Sequence, residues 1–247
     1  MNYSKELENK ILDYYSSYYK SCGLKDYLQR AEVRLKEEET ELERMKRLQS
    51  VLGFKFNDFQ KHFIFGAGTG GLAVALNKKY GVAVSGIEPC SKEFEIIQEK
   101  LKEKGIIALF KKEYGENLSF DSNQFDVVHC FTVLEHVKDV KKCLSEMIRI
   151  IKPGGSIYIN TPNYASFEER HYKLRVPFPL AYTPRILSYL YFILRGRPYK
   201  FLKDINFLTE RKMDKMLSSF DNIVWLRVHE SYKRIYPKQE IIIKKHF

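Results

Sequence analysis

A run of glycines follows a short apolar segment in the first third of the chain, where "HFIFGAGTGGLAVAL" begins at residue 62. A strand that enters a glycine turn and then a helix lets the backbone approach a nucleotide closely, because no Cβ intrudes. Gly66, Gly68 and Gly71 fit the fingerprint that binds NAD, whereas Gly70 fits a different spacing. The motif therefore predicts a nucleotide site without naming the nucleotide.

An acid follows the next apolar run, in "SGIEPCS", where Glu88 precedes Pro89. A carboxylate at the end of the second strand accepts hydrogen bonds from the ribose hydroxyls of a bound nucleotide. NAD and other nucleotide cofactors share this requirement. Glu88 thus supports the nucleotide site and leaves the identity of the cofactor open.

The segment "GENLSFDSNQFDVVHCFTVLEHVKDVKKCLSEMIRIIKPGGSIYINTPN" resembles the class I, seven-stranded Rossmann-like methyltransferases that depend on S-adenosylmethionine. That family has an acidic-Leu-Pro-Phe segment, a Phe-Asp-Val-Val strand, Leu-Glu-His-Val and Leu-Lys-Pro-Gly-Gly in this order. The corresponding residues here are Glu116–Phe120, Phe125–Val128, Leu134–Val137 and Ile151–Gly155. The resemblance covers about Lys61 to Asn163 and implies S-adenosylmethionine as the cofactor.

The same resemblance implies which residues contact the cofactor. The glycine turn is expected beneath its methionine part, Glu88 at both ribose hydroxyls, Gly115 and Glu116 at the adenine edge, and Phe131 beneath the cofactor. The full expected set is Gly66, Ala67, Gly68, Gly70, Glu88, Pro89, Gly115, Glu116 and Phe131.

Three positions depart from the family pattern. Ile64 replaces an acid that commonly precedes the glycine turn, and Tyr114 replaces an acid that commonly reads the adenine amino group. Glu116 or the Tyr114 hydroxyl can serve the adenine instead. In some relatives a divalent metal is held by a Glu at the position of Thr132, so no metal site is expected here, even with His171 downstream.

His136 is the candidate catalytic base, because the resemblance puts it just past the fourth strand, near the transferable methyl group. Methyl transfer from a sulfonium is an in-line displacement that mainly requires an oriented acceptor, and an alcohol or phenol also benefits from a general base. In the alternative interpretation, Glu135 and His136 cap the following helix or brace the loop.

These residues require a scaffold, and β-branched or apolar runs alternate with helical segments from Lys61 onward. Such alternation is typical of a parallel sheet with helices on both faces. Helices are predicted near Gly70–Lys79, Lys92–Lys104 and Val140–Ile151, and the last two strands flank a turn around Pro237. The predicted fold class is α/β, a doubly wound, mostly parallel seven-stranded sheet with an antiparallel C-terminal edge strand and an N-terminal helical extension.

The predicted domains are a helical extension over residues 1–55 and a methyltransferase domain over residues 56–247. In the extension Leu28, Leu35 and Leu42 recur every seven residues, as one of the two apolar positions of a coiled-coil heptad would. Ala31 and Met45 partly fill the second apolar position, but Glu38 interrupts it. An amphipathic helix packed on its own domain is favoured over a short coiled-coil homodimer.

An insertion at about residues 163–208 follows the fifth predicted strand, where open α/β sheets bind ligands. Its apolar run Ile186–Leu194 is too short to span a bilayer and is flanked by Arg185, Arg195 and Arg197. This run is expected to lie in a membrane interface, to cover a hydrophobic substrate tail, or to form a lid helix packed on the core.

The net charge of +11 lies mainly in the C-terminal half and favours an anionic partner. A small-molecule acceptor methylated on oxygen is predicted, either a saccharide, a lipid-linked intermediate or a quinone-like phenol. RNA methylation and a non-catalytic cofactor-binding scaffold are the alternatives. Scattered cysteines and a polar N-terminus lead us to expect a cytoplasmic protein.

Overall fold

The computed structural model describes residues 3–53, 55–170, 174–228 and 238–246. Its main sheet contains seven strands, and a separate two-stranded ribbon is formed by β6 and β7. The strands are β1 (Lys61–Phe65), β2 (Ala83–Ile87), β3 (Leu109–Lys111), β4 (Phe125–Phe131), β5 (Ile151–Pro162), β6 (Glu168–Glu169), β7 (Leu174–Arg175), β8 (Ile223–Arg227) and β9 (Lys238–Lys245).

Helices cover both faces of this sheet. They are α1 (Lys5–Ser21), α2 (Tyr27–Arg34), α3 (Glu37–Leu52), α4 (Gly71–Tyr80), α5 (Ser91–Glu103), α6 (Val140–Ile150), α7 (Arg185–Leu194) and α8 (Glu210–Leu217). None of the helices in the described ranges is both long and apolar enough to cross a membrane.

The strand order is β3-β2-β1-β4-β5-β9-β8, with β1 to β5 parallel to one another. The last strand, β9, runs antiparallel to both β5 and β8. This confirms the predicted fold class and places β9 one strand inside the edge. The turn around Pro237 lies outside the described residues.

The central strand β1 contributes to two apolar cores, because successive side chains of a strand point to opposite faces. Phe63 and Phe65 pack on the side of α6 and α8, while Ile64 packs on the side of α3 and α4. The order of the sheet reverses between β1 and β4, which is where open α/β sheets leave a crevice for a ligand. The loops after these two strands therefore form the centre of the candidate site.

The N-terminal helices pack on the domain instead of forming one long helix. The helix that a coiled coil would need is interrupted, since α2 ends at Arg34 and α3 begins at Glu37. Leu28 is 56% exposed, whereas Met45 and Leu48 are buried in the core that contains Ile64. The third helix thus shares the apolar core of the sheet.

A buried ionic cluster fixes the start of α3 to α5. The Lys100 ammonium is fully buried and pairs with the carboxylates of Glu37 and Glu38, with Nζ 3.3 Å from Oε1 of Glu38. The Tyr3 hydroxyl donates a hydrogen bond to Glu38. Glu38, which interrupts the apolar seam in the sequence, therefore belongs to this cluster.

The insertion carries a small apolar core of its own, termed the insertion cluster. Its buried members are Leu24, Tyr164, Leu174, Val176, Leu180, Phe192, Leu202, Ile205 and Phe207. Leu24 comes from the segment after α1, and the Arg197 guanidinium donates a hydrogen bond of 2.5 Å to the Gly23 carbonyl. The N-terminal extension and the insertion are therefore packed against each other at the carboxyl edge of the sheet.

Replacing Lys100 with Met should strongly destabilise the protein. The substitution keeps the apolar stem but leaves two buried carboxylates without their cation, which typically costs about 3–5 kcal/mol of unfolding free energy. Lys102→Met, at an exposed position of the same helix, should change it by less than about 0.5 kcal/mol. Urea denaturation measures both, and equal stabilities would show that the cluster does not hold the helices.

Candidate active site

The glycine turn lies between β1 and α4 in a conformation that suits glycine. Gly66, Gly68 and Gly70 have φ angles of 75°, 56° and 82°, in the left-handed region where a Cβ is disfavoured. The backbone amides of Gly66 and Ala67 both donate to the Ile87 carbonyl, at 3.2 and 3.0 Å. These bonds place the turn directly beside the end of β2.

The loop after β4 touches this turn. A Cβ built on Gly66 would lie 2.4 Å from Cγ2 of Val133, so only glycine permits the contact. Thr132 has a φ of 56°, which is unusual for a β-branched residue, and its amide donates to the Asn160 carbonyl at 2.7 Å. The two loops are thereby held together at the point where the strand order reverses.

Glu88 lies at the end of β2 with only 5% of its surface exposed. Its two carboxylate oxygens accept hydrogen bonds from the amides of Gly68, at 2.8 Å, and Cys90, at 2.9 Å. Burial and the nearby Glu93 carboxyl raise the pKa of Glu88 to about 7, although the two amides oppose the rise. The half-buried Pro89 separates Glu88 from Cys90 and α5.

Two side chains of the N-terminal helices reach the glycine turn. The Thr69 hydroxyl donates to Oε1 of Glu37 at 2.7 Å, and the Tyr15 hydroxyl lies 3.2 Å from the Thr69 hydroxyl. Glu37 also covers the first residue of α4, since a Cβ on Gly71 would lie 2.2 Å from its Cγ. No sequence motif marks Glu37 or Tyr15 for this position, because only the packing of α1 and α3 brings them there.

The candidate adenine edge is formed after β3. Gly115 is buried against the Phe65 ring, so that a Cβ there would lie 2.0 Å from Cζ of Phe65. Oε1 of Glu116 accepts hydrogen bonds from the amides of Lys138, at 2.8 Å, and Asp139, at 3.2 Å. This carboxylate therefore braces the loop that leads into α6. Tyr114 is 65% exposed and leaves its ring accessible at this edge.

Phe131 ends β4 on the side of the sheet that faces α3. Its ring packs edge-on against Tyr158, with centroids 5.2 Å apart, and the Arg44 guanidinium lies 4.5 Å above it. Arg44 is itself held by Glu41 through hydrogen bonds of 3.0 and 2.9 Å. A cation from the N-terminal extension is thus placed over the expected cofactor-contacting ring, which the sequence pattern did not indicate.

His136 lies in the loop after β4, and its side chain is 48% exposed. The neighbouring Glu135 is fully buried and accepts a hydrogen bond from the Thr161 hydroxyl at 3.0 Å. His136 Nε2 and Glu135 Oε1 are 4.0 Å apart. Glu135 therefore braces the loop, whereas the cap of α6 is provided by Asp139, which accepts from the Lys142 amide.

Asn206 of the insertion anchors the same loop and was not indicated by any motif. Its side-chain amide donates to the carbonyls of Leu134, at 3.3 Å, and Val137, at 2.6 Å, and its backbone amide donates to the Glu135 carbonyl at 2.8 Å. The insertion thereby fixes the backbone around His136.

Some members of the family bind a divalent metal near the position of Thr132. In the part of the chain that the structure describes, no group of three or more His, Cys, Asp or Glu side chains could hold a metal ion. His171 lies outside the described residues.

Comparison with known proteins finds similarity in the central part of the chain. A family model described as a methyltransferase domain matches residues 64–159. An uncharacterized protein of Methanocaldococcus jannaschii is 33% identical over 160 residues, which are 64% of this chain and 63% of that protein. The ubiquinone biosynthesis O-methyltransferase of Coxiella burnetii is 29% identical over 104 residues, which are 42% of this chain and 44% of that protein. The chain thus spans less than two thirds of each of these two relatives.

The structural comparison agrees with the sequence match. A crystal structure of an S-adenosylmethionine-dependent methyltransferase from Aquifex aeolicus has a TM-score of 0.54 at 17% identity, covering 82% of this chain and 89% of that chain. These findings confirm the resemblance carried by the motifs and S-adenosylmethionine as the cofactor of the family. The family match includes the glycine turn, Glu88 and His136, and it ends before the insertion.

The raised pKa of Glu88 predicts that S-adenosylmethionine affinity depends on pH. The resemblance places ribose hydroxyls as donors to the ionised carboxylate, so protonation of Glu88 near pH 7 should compete with binding. The affinity should be constant well above this pH and fall by up to about tenfold for each pH unit below it. Equilibrium dialysis at a series of pH values measures the profile.

Substitutions of Glu88 and its neighbour separate this effect from a general loss of folding. Glu88→Gln should weaken binding about ten- to a hundredfold and remove the pH dependence, because one acceptor becomes a donor. Glu93→Gln removes a like charge and should shift the profile to lower pH, while the exposed Glu95→Gln on the same helix should not. A wild-type profile that is flat, or unchanged in Glu93→Gln, contradicts the assignment.

Proposed function

We propose that this chain, which belongs to the class I S-adenosylmethionine-dependent methyltransferases, transfers a methyl group to an oxygen atom of a small molecule. One observation carries the proposal. The contact of Gly66 with Val133 joins the glycine turn, with Glu88 beside it, to the loop that carries the exposed His136. A cofactor site and a candidate base thus share one crevice.

The chemistry of the residues around the crevice fits S-adenosylmethionine. Glu88 supplies two carboxylate oxygens for a ribose diol, and the glycine turn leaves room that a Cβ would fill. At the methionine end, Glu37 at the turn offers a carboxylate for the ammonium group, and Arg44 over Phe131 offers a cation for the carboxylate. Glu37 compensates for the apolar Ile64 at the position where relatives commonly carry an acid.

The cofactor, when bound, supplies an electrophilic methyl group, and the protein has to orient and deprotonate the acceptor. His136 is exposed at the carboxyl edge of β4, where an acceptor hydroxyl can reach its ring. The buried Glu135 carboxylate, 4.0 Å away, stabilises the imidazolium that forms when His136 takes the proton. Thr161 and Asn206 hold the loop and thereby the position of the base.

The acceptor is proposed to enter beneath the insertion. The segment from Asn163 to Leu208 packs over the carboxyl edge and contributes Asn206 to the base-bearing loop. Its aromatic and basic composition suits an acceptor that is partly apolar and anionic, such as a lipid-linked intermediate, a saccharide derivative or a quinone-like phenol. We further propose that residues 56–247 form the catalytic domain and residues 1–55 its extension.

The first test asks which nucleotide the protein binds and where the methyl group goes. The purified chain should bind S-adenosylmethionine and not NAD in equilibrium dialysis. Incubation with methyl-labelled S-adenosylmethionine and a fractionated cell extract should place label in a small-molecule or lipid fraction. Tight NAD binding alone, or label only in RNA or in no fraction, would overturn the proposal.

The second test concerns His136 on the labelled acceptor. His136→Asn should lower kcat about 10²- to 10⁴-fold and leave cofactor affinity unchanged, because the ring acts on the acceptor proton only. His246→Asn changes an exposed histidine at the end of the described chain and serves as the matched control. If His136→Asn keeps the wild-type kcat, the residue has a structural role in the loop.

A further inference from the structure

Helix α7 presents a continuous apolar face to solvent. Five of its aliphatic side chains retain 49–84% of their accessible area. They form the apolar face of α7, which consists of Ile186, Leu187, Leu190, Ile193 and Leu194. Clusters of this kind are uncommon on isolated soluble domains and mark contact surfaces.

The orientation of this face follows from how α7 is anchored. Ser188 and Phe192, one turn apart, are fully buried on the opposite side of the helix, and Phe192 belongs to the insertion cluster. Since residues three and four apart share a helix face, anchoring this side turns the five aliphatic side chains outward. The exposed aliphatic face is therefore fixed by packing.

Cations border the apolar face. Arg195 follows the helix directly and is exposed, and the exposed Arg175 lies beside the helix because its carbonyl accepts a hydrogen bond from the Tyr191 hydroxyl at 2.9 Å. Arg185 and Arg197, by contrast, donate to backbone carbonyls of Ile205 and Gly23 and thus stabilise the insertion.

We propose that the apolar face of α7 docks on an anionic lipid bilayer. A helix of ten residues, about 15 Å long, can lie in the interface with its aliphatic side chains among the acyl chains and its basic border among the headgroups. Pairing of two copies through this face would bring two basic borders together, each with an exposed Arg175 and Arg195. Charge complementarity therefore favours the lipid surface over a second copy.

Docking in this way brings the acceptor side of the crevice close to the membrane. The anchored side of α7 contacts the cluster that contains Phe207, and the adjacent Asn206 holds the base-bearing loop. An amphiphilic acceptor could then reach His136 without leaving the bilayer surface. This consequence rests on the proposed function, whereas lipid binding itself does not require methyl transfer.

The test is sedimentation of the full chain with vesicles of phosphatidylcholine alone or mixed with phosphatidylglycerol. Wild-type protein should sediment with the anionic vesicles. The double substitution Leu190→Gln/Leu194→Gln should weaken this binding about ten- to a hundredfold, since Gln favours helix but not hydrocarbon. Leu28→Gln changes a comparably exposed leucine on α2 and is the matched control.

A second variant tests the basic border of α7. Arg175→Gln/Arg195→Gln should weaken binding to anionic vesicles by about tenfold or more, and added salt should do the same. Unchanged binding by the leucine variant, or absence of wild-type binding, would overturn the proposal. So would a dimer, detected by analytical ultracentrifugation, that the leucine variant dissociates. Cofactor dialysis on the same samples shows whether the methyltransferase site is intact, so failure of one proposal is distinguishable from failure of the other.

Discussion

The close approach of Gly66 to Val133 is the contact on which the arrangement of the site depends. Two parallel strands, β1 and β4, lie side by side where the strand order reverses, and the Val133 side chain after β4 packs directly on the turn after β1 because Gly66 has no Cβ. Gly66 and Thr132, at the start of the two loops, both have positive φ angles. The glycine turn and the loop that carries His136 are thereby held side by side.

The surroundings of this crevice come from segments far apart in the chain. The buried pairing of Lys100 with Glu37 and Glu38 holds α3 on α5, and the same Glu37 reaches Thr69 in the glycine turn. At the other end, Leu24 joins the insertion cluster. The extension thus contacts both the glycine turn and the insertion.

Charge is distributed unevenly around the site. Glu88, Glu93 and Glu37 lie around the glycine turn, and burial together with the nearby Glu93 carboxyl raises the pKa of Glu88. The insertion and the C-terminal strands carry most of the net positive charge. An acidic cofactor side suits the cationic sulfonium and ammonium groups of S-adenosylmethionine, while a basic acceptor side suits an anionic acceptor or surface. Each side thus carries a charge opposite to that of the reactant proposed to bind there.

The sequence alone determined the fold class and the resemblance to the methyltransferase family. It also determined which strands Gly66, Glu88 and His136 follow. Each of these depends on local order: strand, glycine turn, acid after the next strand, and a histidine after the fourth. In a doubly wound sheet the parallel strands end at the same edge, so residues that follow successive strands in the sequence lie near one another.

Only the tertiary structure decided which distant side chains complete the site and what the nearby ones do. The packing of α3 places Glu37 and Arg44 near the turn and Phe131, and the fold turns Glu116 toward the loop before α6. The outward face of α7 likewise depends on which side Phe192 buries. In α7 the polar Ser188 is buried while leucines and isoleucines are exposed, so the usual apolar periodicity does not predict its buried side. Contacts between distant segments likewise leave no local sequence pattern.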